Sequence, residues 1–129
     1  MRVVLDTNVA LSAFLGESAP SRLIELASEG EIELADVLQR EPIRRRFERK
    51  GRSTPEALAL YEALAEPVLP ASITPTAPDP DDDAVLACAL AAGADPIVSG
   101  DKHLRNLKSF HRLPILSASD ALAAITSLP

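Results

Sequence analysis

Two aspartates, Asp6 and Asp101, each follow a short apolar run, Val3-Val4-Leu5 in one case and Ile97-Val98 in the other. A third acidic group, Asp79, Asp81, Asp82 and Asp83, opens an alanine- and leucine-rich stretch. Carboxylates gathered in one place repel one another and are costly unless protonated or bridged by a cation. Oxygen-only ligands select Mg²⁺ or Mn²⁺ over zinc, and the lone Cys88 with His103 and His111 makes no zinc pattern. Mg²⁺ held by a few carboxylates is completed by water and phosphate oxygens, which points to phosphodiester or phosphoryl chemistry. Each acid also has a plainer reading. Asp6 or Thr7 could cap a following helix, and at least one of the acids before Ala84 suits a helix N-terminus.

The elements around these acids alternate. A β-branched run without polar alternation, such as Val3 to Leu5, reads as a strand covered on both faces, which delivers Asp6, Thr7 and Asn8 to one rim of a parallel sheet. In open α/β sheets ligands bind at that rim. Val9 to Leu15 is helix-compatible and stops at Gly16; a helix from Ser18 stops at Gly30; Ile32 and Leu34 suggest a second strand. A basic helical segment from Ala35 to Lys50 contains Pro42, predicting a kink or a helix start near Glu41. Ser53-Thr54-Pro55-Glu56 predicts a capped helix with Ala57, Leu58, Tyr61 and Leu64 on its apolar face. A short strand at Val68 and Leu69, a proline-rich loop over 71–80, and a helix from Ala84 to Ala92 follow. Ile97 and Val98 then predict a strand, His103 to Leu107 a brief helix, Ile115 and Leu116 a last strand, and Ser119 the cap of a terminal helix. Alternating strands and helices predict a doubly wound α/β fold, a single-domain α/β/α sandwich over residues 1–129 with a parallel sheet of four or five short strands.

Composition narrows the function classes. The chain has 129 residues, enough for one core, and a net charge of −6, which argues against general nucleic-acid affinity. The distribution says more: seven of the 13 Lys and Arg lie between Arg40 and Arg52, including Arg44, Arg45 and Arg46, and four lie between Lys102 and Arg112, including Arg105. Such local basic surfaces can hold phosphates beside a carboxylate site, although a solvated helix face also accounts for the first run. Three Phe, one Tyr and no Trp leave few platforms for stacking bases. Cys88, in an Ala/Leu run, reads as a small buried hydrophobe of a cytoplasmic protein, and neither a signal peptide nor a membrane-length apolar run is present.

Three segments together resemble the PIN domain, the nuclease domain of VapC-like toxins: Val-Val-Leu-Asp-Thr-Asn (3–8), Asp-Pro-Asp-Asp-Asp with its alanine-rich helix (79–92), and Ala-Asp-Pro-Ile-Val-Ser-Gly-Asp-Lys-His-Leu (94–104). The resemblance implies that Asp6, Asp83 and Asp101 are metal ligands and that Glu41 is the acid of the second motif. Thr7, Asn8 and Ser99 would be supporting groups, with Asp82 the rival for the place of Asp83. It further implies RNA cleavage by a Mg²⁺- or Mn²⁺-activated water, leaving a 5′-phosphate and a 3′-hydroxyl. The basic run at Arg44, Arg45 and Arg46 is the expected contact for that RNA, with Lys102, Arg105 and Lys108 the alternative home for its phosphates. A homodimer and a cognate antitoxin are implied as partners. The chain departs from the pattern in Pro42, which follows Glu41, and in Ala35, where serine is common.

Other classes fit less well. A phosphatase of the haloacid dehalogenase type needs a second aspartate two residues after the first, and position 8 is Asn. A dinucleotide-dependent oxidoreductase lacks its glycine-rich turn. A catalytically degenerate PIN fold that binds RNA or protein stays open; the three aspartates argue against it and Pro42 for it.

Overall fold

The computed structural model describes residues 1–37, 55–78 and 80–126. Its elements in order are β1 (Arg2–Leu5), α1 (Thr7–Phe14), α2 (Ser18–Ser28), β2 (Glu33–Val37), α3 (Pro55–Leu64), β3 (Ala65–Val68), α4 (Pro80–Ala92), β4 (Ile97–Val98), α5 (Lys102–Arg105), β5 (Ser109–Phe110), β6 (Leu113–Leu116) and α6 (Ala118–Thr126). The segment expected to be helical from Ala35 to Lys50 begins instead as strand, since β2 runs through Ala35 to Val37, and its part around Glu41, Pro42 and Arg44 to Arg46 lies outside the described residues.

The strands form one sheet in the order β3-β2-β1-β4-β6-β5, parallel except for the β5–β6 pair. The first strand is buried on both faces, as its unbroken apolar run predicts. Val3 and Leu5 enter a cluster with Val9, Leu11, Leu23, Ile24 and Ala121, from α1, α2 and α6. Val4 turns to the other face, among Leu86, Cys88, Ala89, Ile97 and Leu104, from α4, β4 and α5. The result is the expected α/β/α sandwich with an aliphatic core. Cys88 is buried, as its setting predicted.

The strand order fixes where the chemistry can sit. From β1 the chain steps outward to β2 and β3 and then returns to pair β4 on the other side of β1. The order therefore reverses between β1 and β4, and the crevice beyond the carboxyl ends of those two strands is the topological switch point where open α/β sheets bind ligands. The α4 connection from β3 to β4 joins parallel strands, so the helix runs back along the sheet and its N-terminus lies at the same carboxyl rim. A Schellman turn ends α4: Gly93, at φ +63, donates to the Leu90 carbonyl, and Ala94 donates to that of Ala89.

Some boundaries differ from expectation. The third strand starts at Ala65, ahead of Pro67, because β3 is an edge strand where a proline need not donate to a neighbour. Leu69 falls outside it and is exposed. The helix expected from Ala84 begins at Pro80 and takes in Asp81, Asp82 and Asp83. Ser117, not Ser119, caps α6, its hydroxyl accepting the backbone N–H of Asp120 at 3.1 Å. A hairpin absent from the expectation joins β5 to β6 through His111 and Arg112, both with positive φ (50° and 70°). Two such residues suit a type I′ turn, which normally takes Asn and Gly. The Phe110 and His111 rings meet edge to face at 4.4 Å and offset part of that cost.

Candidate active site

Asp6 leaves the end of β1, where its backbone N–H donates to the Val98 carbonyl at 2.8 Å. It occupies the position before α1, and its backbone carbonyl accepts from Val9 and Ala10. Its side chain, however, makes no capping bond to α1. The carboxylate is 2 % exposed, and its Oδ2 accepts the hydroxyl of buried Ser99 at 2.9 Å. Helix capping therefore does not account for this acid.

Ser99 follows β4 and extends the ladder by donating its backbone N–H to Leu116 at 2.9 Å. Its hydroxyl also accepts the Asp101 backbone N–H at 3.0 Å. The link from Asp6 through Ser99 to the Asp101 backbone thus crosses the switch point between β1 and β4. Asp101 itself is half-buried and caps α5, with Oδ1 accepting the His103 backbone N–H at 2.8 Å. One oxygen of Asp101 thereby has a structural task.

The two central acids of α4 differ in environment. Asp82 is 4 % exposed, in the first turn of the helix packed against β1 and β2. Asp83 is half-buried and turned to the preceding loop, where Oδ1 accepts the backbone N–H groups of Thr76 at 3.1 Å and Ala77 at 2.8 Å. Successive helical residues differ by about 100° in direction, so neighbouring acids cannot share one task. Of the residues expected to assist, Thr7 begins α1, and Asn8 is exposed beside the rim. Lys102 and Arg105 are exposed on α5 and line an open groove with Lys108. Glu41, Arg44, Arg45 and Arg46 lie outside the described residues.

A further acid went unremarked in the sequence. Asp36, near the carboxyl end of β2, is 7 % exposed and accepts the hydroxyl of fully buried Tyr61 at 2.6 Å. Its signal was available: Leu34 and Ala35 lead into Asp36 as Val4 and Leu5 lead into Asp6.

The donor set is oxygen throughout, which suits a hard cation in type. Among the described residues, no three His, Cys, Asp or Glu side chains converge as a metal-binding group. Also among them, no helix is long and apolar enough to cross a membrane. Fold and rim together define a doubly wound α/β protein with the buried Asp6 and the half-buried Asp101 at its switch point. The sequence profile of the PIN domain matches residues 2–103, and the chain belongs to that family. PIN domains are typically nucleases, acting on nucleic acids and generally using divalent metals. No curated protein is similar enough to the chain to count as a relative.

Proposed function

We propose that this protein is a Mg²⁺- or Mn²⁺-dependent endoribonuclease and the toxin of a toxin–antitoxin pair. The observation that carries the reading is Asp6, a buried carboxylate at the switch point that leaves its helix uncapped and is oriented by Ser99 instead. Asp6, Asp101 and one acid of α4 are the residues that would hold the cation, with Glu41 as a fourth. For the α4 position we favour Asp82 over Asp83, because Asp82 is the acid drawn inside while Asp83 fastens the loop. A hard divalent cation, when bound, supplies charge stabilisation at the phosphoryl oxygens. Ser99 keeps the Asp6 carboxylate in one orientation, and Lys102 and Arg105 draw the RNA backbone to the rim. The antitoxin, the homodimer and the cytoplasmic setting belong to the same proposal; the segments 3–8, 79–92 and 94–104 support them through their likeness to VapC-like toxins.

A second reading has its own support. Asp83 and Asp101 each spend an oxygen on backbone N–H groups, a structural task that would keep both acids in a non-cutting, RNA- or protein-binding PIN fold. One experiment separates the two. Mn²⁺ is titrated against wild type, Asp6→Asn and Asp101→Asn while melting temperature and RNA cleavage are followed. The nuclease reading expects Mn²⁺ to raise the wild-type melting temperature and to permit cleavage, both lost in the variants. RNA binding without cleavage at any Mn²⁺ concentration selects the second reading.

A further inference from the structure

Two cavities open side by side at the carboxyl rim and share Ser117. The smaller, about 260 Å³, lies between the start of α1, the start of α2 and the start of α6. Asn8, Ser12, Glu17, Gly100 and Ser119 are among its lining residues, and Glu17 is the one charged side chain among the described residues of that lining. Asn8 stands two residues beyond Asp6, and Gly100 stands between Ser99 and Asp101, so this pocket adjoins the acids. The larger, about 560 Å³, carries Lys102, Arg105 and Lys108 against the single acid Asp120. Lys108 is held at φ 63°, a left-handed conformation that is strained for a residue with a side chain and easy for glycine. The chain nevertheless sets a cation there.

We propose that these cavities form a nucleotide site that reads guanine, with the base in the smaller pocket and the neighbouring phosphate in the basic groove. The inference rests on the ribonuclease reading and deepens it, since it assigns the residues that choose where the RNA is cut. A pocket this size is below the range that drug-sized ligands occupy and suits one base. Among the described residues no aromatic ring lines either cavity, so the base is recognised by hydrogen bonds along its edge and not by stacking.

The charge of Glu17 selects the base. Glu17 caps no N–H of α2, so its carboxylate is not consumed by the helix it precedes. An ionised carboxylate only accepts hydrogen bonds. Guanine alone offers two adjacent donors, N1–H and N2–H₂, to the two carboxylate oxygens. Adenine and cytosine place an acceptor nitrogen beside their amine, and uracil flanks its one N–H with carbonyls. The Asn8 amide can donate to guanine O6. Across Ser117 the three cations neutralise the next phosphate, as Lys and Arg do along any nucleic-acid backbone.

The test uses a fluorescent oligouridine and the same oligomer carrying one central guanosine, adenosine or cytidine. Binding is followed by anisotropy in EDTA, and cut positions are mapped separately in Mn²⁺. Wild type should bind the guanosine oligomer about tenfold more tightly than oligouridine, the discrimination typical of one two-point contact. Glu17→Gln should bring that ratio to within about twofold. Lys102→Glu with Arg105→Glu should weaken all four oligomers alike and flatten the salt dependence. A guanosine preference erased by Glu17→Gln in a protein that never cuts upholds the pocket and overturns the nuclease reading. Cutting indifferent to the base, or a preference that survives Glu17→Gln, overturns the pocket and leaves the nuclease reading standing. Failure to bind any of the oligomers in EDTA overturns the pocket, and the absence of cutting in Mn²⁺ as well overturns both.

Discussion

The Ser99 hydroxyl donates to Asp6 Oδ2 at 2.9 Å, tying the end of β4 to the end of β1. A hydrogen bond to a charged group contributes about 1.5–3 kcal/mol, so Ser99→Ala should lower stability by that order in a urea titration. Orientation of a ligand carboxylate matters further, and loss of such a partner typically costs roughly 10–100-fold in metal affinity or activity. Ser99→Thr retains the hydroxyl and should recover most of the activity if the extra methyl fits. Full activity in Ser99→Ala would show that Asp6 needs no such support.

Asp82 and Asp83 should fail in different ways. Asp83→Asn leaves Thr76 and Ala77 a weaker acceptor, and Asp83→Ala removes it, so the alanine variant should lose about 1–3 kcal/mol of stability. Its melting response to Mn²⁺ should remain. Asp82→Asn should instead abolish that response and the cleavage with it. The reverse pattern would return the α4 metal position to Asp83.

Tyr61 and Asp36 bond within the interior, so removing the phenol hydroxyl withdraws a donor from a buried carboxylate. Tyr61→Phe should therefore cost about 1–3 kcal/mol. Groups in contact do not behave independently, so the cycle with Asp36→Asn should show an interaction of at least about 0.5 kcal/mol in urea melts. Additive effects would mean that the bond contributes nothing beyond its two ends.

Arg2 gathers the opposite end of the sheet. Its guanidinium binds Glu33 of β2 at 3.3 Å, Glu66 of β3, and the Ala92 carbonyl at the end of α4 at 2.9 Å. Exposed ion pairs contribute about 0.2–1 kcal/mol each, and the carbonyl bond about 1 kcal/mol, so Arg2→Met should destabilise by roughly 1–2 kcal/mol, less at high salt. Because these contacts lie at the amino ends of the strands, the rate of any cleavage should not change. A rate that falls with Arg2→Met would connect the two rims.

The sequence made the alternation of elements legible because glycines stop α2 and α4 and because the central strands are unbroken apolar runs. It also placed Asp6, Ser99 and Asp101 at one rim, since Asp6 and Ser99 directly follow central strands and Asp101 stands two residues beyond Ser99. Helix phase was not legible where Asp81, Asp82 and Asp83 look alike: which acid turns inward depends on α4 starting at Pro80, before the apolar pattern begins. The β5–β6 hairpin escaped because its strands are two and four residues long and its turn is His-Arg. The base-sized pocket escaped for another reason, that Glu17, Gly100 and Ser119 are far apart in the chain and meet only through the strand order.

The first strand is apolar on both faces, and this has a consequence for how it is threaded. A strand with one oily and one polar side encodes its own alignment, because sliding by one residue buries the wrong set. Val3, Val4 and Leu5 could exchange faces with little change in oiliness, so the middle of β1 holds almost no information about its register. The address is written at its two ends. At one, the Arg2 backbone donates to Asp95 Oδ2 at 3.0 Å and accepts from the Asp95 N–H at 2.9 Å; at the other, the Asp6 carboxylate accepts the Ser99 hydroxyl at 2.9 Å. The acid at the rim is thus half of the pair of pins by which the central strand is indexed, and a chain that mispairs there loses its site and its alignment in the same step.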